Sequence, residues 1–153
     1  MKPMHQVAAA GAVCLLLAGA LWALTYTFNP PGSSGDWSNQ NNWGPHQNAP
    51  PGADDDAIIK EDKTVIIDVE DREVMELWLQ DDTSVDLQHN LCANVRLFVY
   101  RVSGVSGNTL VEGTGEGPTK EICAAEVRVA EKAVLTVGVG AAVRTLPVCT
   151  CPN

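Results

Sequence analysis

The residues of this 153-residue chain that can do chemistry are its five cysteines, three histidines, four tryptophans and the run Asp54–Asp56. Catalysis needs a nucleophile, a base or a metal gathered in one pocket. No such set stands out: His46 and His89 are isolated and the third histidine, His5, lies in an apolar N-terminal segment. No G-x-S-x-G, H-E-x-x-H or P-loop pattern occurs. GTGEGP at Gly113 to Pro118 lacks the flanking strand and helix that make such glycines phosphate-binding, and reads as a loop. Asp54, Asp55 and Asp56 lack the alternating acidic positions and the later glutamate of a calcium loop, so they read as a solvated turn that starts a strand. No enzyme activity, metal or cofactor is expected.

The cysteines point to covalent cross-links. Cys14 sits in the N-terminal apolar segment, leaving Cys92, Cys123, Cys149 and Cys151, an even set without C-x-x-C knuckles or a neighbouring histidine. In an exported chain that pattern reads as disulfides rather than a zinc site. Four cysteines allow three pairings; Cys92–Cys123 is the first to test, because it would clip the base of a glycine-rich excursion. Cys149 and Cys151 are too close in sequence for an unstrained mutual bond, so one is expected to reach elsewhere, another chain included.

Export itself is read from the N-terminus. Lys2 precedes an apolar run from Val7 to Leu21, with Ala18 and Ala20 forming an A-x-A pattern and Ala23 offering a second cleavage position. Residues 1–23 therefore read as a secretory signal, and 24–153 as one extracellular domain. The apolar run is shorter than the roughly 20 residues a bilayer span needs, so no membrane span is expected after signal removal. A net charge of −9 and a pI near 4.6 exclude nucleic acid and anionic membrane surfaces as natural partners.

The tryptophans have two possible uses. Trp37 and Trp43, with Asn41 between them, lie in a polar, turn-rich stretch and are expected to cap the open end of a sheet beginning near Ala57. Trp78 falls between Leu77 and Leu79 and is expected to face outward, making Trp78 and Met75 the candidate contact for a partner protein. Alternatively Trp37, Trp43 or Trp78 stacks on sugar rings while Asn39, Asn41 and Asn42 bond hydroxyls.

The elements that must position these residues are short strands. Prolines 45, 50 and 51 exclude a regular helix in the Trp/Asn stretch, and Leu24 to Phe28 reads as a short edge strand. After Ala57 the pattern has period two, with Leu77, Leu79, Val85 and Leu87 on one buried face. Glu126 to Val137 aligns without a gap on Glu76 to Leu87, placing Val127, Val129, Leu135 and Val137 at the same four positions. A recurring inward pattern with short polar turns predicts an all-β fold, a short right-handed parallel β-helix whose rungs stack on a shared core. The alternative is an antiparallel β-sandwich, disfavoured by the lack of Asn-Gly or Asp-Gly hairpin turns. Between the two similar regions, residues 98–121 are expected to form a projecting excursion loop.

Y-T-F at Tyr26 to Phe28, G-D-W-S-N at Gly35 to Asn39, N-N-W at Asn41 to Trp43, P-P-G-A-D-D at Pro50 to Asp55 and T-V-I-I-D at Thr64 to Asp68 together resemble a known pattern. It is the repeat of secreted β-solenoid proteins: autotransporter-like adhesins, and extracellular proteins such as the N-terminal region of amnionless, where a similar W-x-N-W segment introduces β-helix rungs. The resemblance covers roughly Thr25 to Leu87, with one copy of the Trp/Asn stretch. It implies a non-enzymatic structural or adhesion module that assembles with itself or with another extracellular protein through its ends and edges. A carbohydrate-binding module is the alternative.

Overall fold

A computed structural model describes residues 23–45, 49–70, 72–102, 108–149 and 151. Most of the predicted signal, 1–23, lies outside the described residues. The strands are β1 (Thr25–Phe28), β2 (Ser34–Asp36), β3 (Trp43–Gly44), β4 (Asp56–Ile59), β5 (Thr64–Ile67), β6 (Arg72–Leu79), β7 (Ser84–Leu87), β8 (Leu91–Val99), β9 (Asn108–Gly113), β10 (Lys120–Val129), β11 (Val134–Val137) and β12 (Ala141–Thr145). They form a seven-stranded sheet, in the order β12-β10-β8-β6-β4-β1-β3, and a five-stranded sheet, in the order β11-β9-β7-β5-β2. The fold is all-β, and every strand pair is parallel except β1 with β3.

A parallel pair cannot be joined by a tight hairpin and needs a crossover. Here the crossover from β4 to β6, or from β6 to β8, is a strand of the other sheet, because from β4 onward the chain alternates between the two sheets. Consecutive strands from β4 on never pair with each other, so the hairpin-linked antiparallel sandwich is not the arrangement observed.

In-register pairing turns the period-two pattern into columns. Ala57, Leu77, Leu97 and Val127 stack in one column, and Ile59, Leu79, Val99 and Val129 in the next. Val65, Val85, Val111 and Val137 face them from the five-stranded sheet. Each column is fully buried until its last member: Val127 is only partly buried, while Val129 and Val137 are 46% and 43% exposed. The gapless alignment of 76–87 with 126–137 thus spans two layers, with β8 and β9 as the layer between.

The turns that carry the chain between the sheets share one backbone device. Asp62, Asp82 and Lys132 each adopt positive φ (59°, 57° and 66°) at the same place in the turn. Asp tolerates the left-handed region through its short polar side chain. A single left-handed residue lets the chain change sheet without the glycine dipeptides of hairpins.

Two expectations are corrected. The described residues of 98–121 do not form a single excursion loop: β8 runs to Val99, and β9 lies within the segment as a full member of the five-stranded sheet. Thr109 and Val111 of β9 are buried, and β9 pairs with β7 on one side and β11 on the other. β1 is not an edge strand either, since it lies between β3 and β4.

Candidate functional site

The two ends of the stacked strands are built differently. At the N-terminal end Trp37 and Trp43 are buried, at 0% and 1% exposure, and pack edge to face with ring centroids 4.6 Å apart. Trp43 also meets Phe28 edge-on at 5.0 Å. The Trp43 indole N–H donates to the Trp37 carbonyl at 2.8 Å, which satisfies a polar group that burial would otherwise penalise. A 3-10 turn over Gln40–Asn42 carries the chain between the two rings, with the Asn39 side chain accepting from the Asn41 amide. The buried asparagine is Asn42, which donates to the Asp36 carbonyl at 2.9 Å; Asn41, the expected cap residue, is exposed. Adjacent asparagines differ only in which one the 3-10 turn points inward. Asp68 adds a clasp by accepting from the amide and the hydroxyl of Ser38.

At the C-terminal end β11 and β12 are the last strands of their sheets. The large apolar side chains exposed there are Val129, Val134, Val137, Val139, Leu146 and Val148, with Val139 the most exposed at 90%. Gly113 and Gly140 pass with their backbones in contact, and Gly140 has positive φ (73°), which shapes the last corner.

The disulfides decide where the chain goes after β12. Cys92 pairs with Cys151 and Cys123 with Cys149, so the expected Cys92–Cys123 bond is corrected, as is a reach from Cys149 or Cys151 to another chain. Cys92 and Cys123 are register partners on β8 and β10 and point to the same face. Two parallel strands sit about 4.8 Å apart, and residues i and i+2 of an extended tail about 6.6 Å apart. A tail crossing these strands therefore sets Cys149 over Cys123 and Cys151 over Cys92. All four sulfurs form their own cluster, separate from the main core.

The outer face of the seven-stranded sheet carries two further columns. Asp56, Glu76, Arg96 and Glu126 are in register, and Arg96 bridges Glu76 at 2.9 Å and Glu126 at 3.7 Å. Beside them run Ile58, Trp78, Phe98 and Arg128. Trp78 is half-buried rather than free: it meets Phe98 and Tyr100 edge-on at 5.0 and 5.6 Å, and its indole N–H donates to Glu76 at 2.9 Å. Met75 is half-buried at an irregularity of β6, where the register with β8 shifts between Val74 and Glu76. Burial and the neighbouring Glu76 hold the Asp56 carboxyl above its ordinary value.

A polar cleft of about 470 Å³ lies along the corners that lead back to the seven-stranded sheet, lined by Glu70, Gln88, His89, Thr114, Glu116 and Lys120. His89 Nδ1 stands 3.9 Å from Glu70 there, a loose approach. Among the described residues no three His, Cys, Asp or Glu side chains converge as metal ligands, and no helix is long and apolar enough to cross a membrane. His46 lies outside the described residues. Comparison with family models, with curated proteins and with solved structures returns no match.

Proposed function

We propose that this chain is an exported, non-enzymatic structural or adhesion module: a short right-handed β-solenoid, sealed at one end by its tryptophans, that assembles with itself or with another extracellular protein through its other end and its edges. The contrast between the ends carries the reading. Trp37 and Trp43 close the first turn, while β11 and β12 are the last strands of their sheets and Val134 and Val137 of β11, with Val139 in the turn between the two strands, are exposed. Open strand edges are pairing templates that proteins normally blunt with charge, proline or a covering segment. The disulfides and the apolar N-terminal segment support an extracellular setting.

A second reading, a glycan-binding module, has narrower support than the sequence offered. Trp37 and Trp43 are buried in the cap and cannot offer a ring face to a sugar. Trp78 remains, beside Phe98 and Tyr100.

Expression of the full chain with its N-terminal segment, followed by intact-mass analysis of the medium, tests export and oxidation together. The expected product has lost about 20 to 23 residues, carries two disulfides, and is retained by immobilised extracellular matrix proteins or by itself. A reduced product confined to the cell, or an oxidised one that binds neither, overturns the module. Tryptophan fluorescence that shifts with a glycan but not in Trp78→Ala moves the assignment to the second reading.

A further inference from the structure

Resting on the assembly reading, the geometry points to a specific occupant for the open end: we propose that it binds a second copy of this chain, end to end about a two-fold axis. In that arrangement β12 lies antiparallel to the partner's β12 and β11 antiparallel to the partner's β11, so each sheet continues through the junction.

Charge distribution selects a second copy over an acidic or basic stranger. From residue 120 onward Lys120, Arg128, Lys132 and Arg144 stand against Glu121, Glu126 and Glu131, leaving this end at +1. The remainder of the chain holds the other six basic residues against sixteen acidic ones, a balance of −10. Two copies that meet by the faces of the intervening strands bring acidic surfaces together, whereas the last layer offers near-neutral ground, as does the Trp/Asn end, where Asp36 is the single charged residue of 24–53.

The edge itself is unguarded. β11 reads VLTV and β12 reads AAVRT, so Arg144 is the single charged residue on the two strands, and neither contains proline. Arg144 is held sideways by Glu121 at 3.0 Å. The described residues of the tail that follows β12 turn back from this edge, because Cys149 bonds to Cys123 on β10 and Cys151 to Cys92 on β8. At the opposite end the sheets finish in short strands, three residues in β2 and two in β3, which give a head-to-tail partner little edge to pair with and favour a symmetric contact.

Sedimentation equilibrium of the oxidised chain tests this over about 1 to 500 μM, a range that brackets weak end-to-end pairing. The expected result is a monomer–dimer equilibrium that stops at two and tightens as salt is raised, because salt screens the two acidic bodies. Val134→Glu with Val139→Glu, at two exposed positions, is expected to weaken the dimer at least about tenfold. Hydrogen exchange on the unaltered chain gives a readout free of folding effects: amides of β11 and β12 slow with concentration, and those of β2 and β3 do not. A chain that stays monomeric overturns the proposal, and so does open-ended growth or a dimer untouched by the two glutamates. A monomer that is still retained on matrix proteins sinks the two-fold dimer alone; one that binds nothing sinks the assembly reading as well.

Discussion

Gly113 and Gly140 approach so closely that a Cβ built on Gly113 would lie 2.0 Å from the Gly140 carbonyl oxygen. The obstructing oxygen belongs to backbone, and the Gly113 amide donates to the Val139 carbonyl at 3.0 Å, so neither side can give way cheaply. Gly113→Ala is therefore expected to cost about 2 to 3 kcal/mol, the upper range for overpacking. Gly117 has positive φ (94°) but open space around its Cβ position, so Gly117→Ala should cost only about 1 kcal/mol from conformation. Thermal melts of the two variants check the ordering; equal losses would mean the corner relaxes.

The indole pair at the opposite end makes a separate claim on stability. Trp43→Phe keeps much of the ring packing but removes the donor to the Trp37 carbonyl, and should cost roughly 1 to 2 kcal/mol. Trp43→Ala leaves a cavity against Trp37 and Phe28 and should cost about 3 to 5 kcal/mol. Urea titrations followed by circular dichroism separate the two effects. A Trp43→Ala variant as stable as the native chain would show that the cap is dispensable.

These two sites also mark what a reader of the sequence can and cannot see. Leu77, Leu79, Val85 and Leu87 are all buried, because alternation forces their side chains to one face whatever the topology. Strand β9 escapes that reading. Its apolar stretch is short and surrounded by glycines, and it is ordered by the Leu110 amide donating to Thr83 and by in-register neighbours on both sides rather than by its own propensity. The cysteine pairing was likewise invisible, since it follows from Cys92 and Cys123 being level across β8 and β10, a register set by β9 and its flanking corners.

Peptide mapping without reduction should recover Cys92 joined to Cys151 and Cys123 joined to Cys149. The first bond closes 59 residues and the second 26, worth about 4 and 3.5 kcal/mol respectively in the chain-entropy model. Cys123→Ser with Cys149→Ser should thus lower the melting temperature while the strands survive, as the four sulfurs lie outside the main core. A Cys92–Cys123 peptide would overturn the observed path of the tail.

Asp56 supplies a pH dependence whose sign can be fixed. Its carboxyl is held above the ordinary value first by burial and then by the charges of Glu76 and Asp55, with a backbone hydrogen bond from Glu76 acting in the opposite direction. The folded chain consequently binds this proton more tightly than the unfolded chain does. The resulting stabilisation is fully present below the ordinary carboxylate value and is lost as pH rises through the raised folded value. At neutral pH the ionised Asp56 opposes folding, and one of its oxygens, Oδ1, is buried without a hydrogen-bond partner. Asp56→Asn keeps the shape and removes the charge. It should raise the melting temperature at pH 7 by ~2 °C, the scale of a partly screened charge of about 0.5 kcal/mol. The gain should fade below about pH 4, where the native carboxyl is itself neutral. Melts of the two chains at several pH values decide the matter: a native chain that is the more stable at pH 7 would mean that the hydrogen bond from the Glu76 backbone to the ionised carboxyl outweighs burial and repulsion.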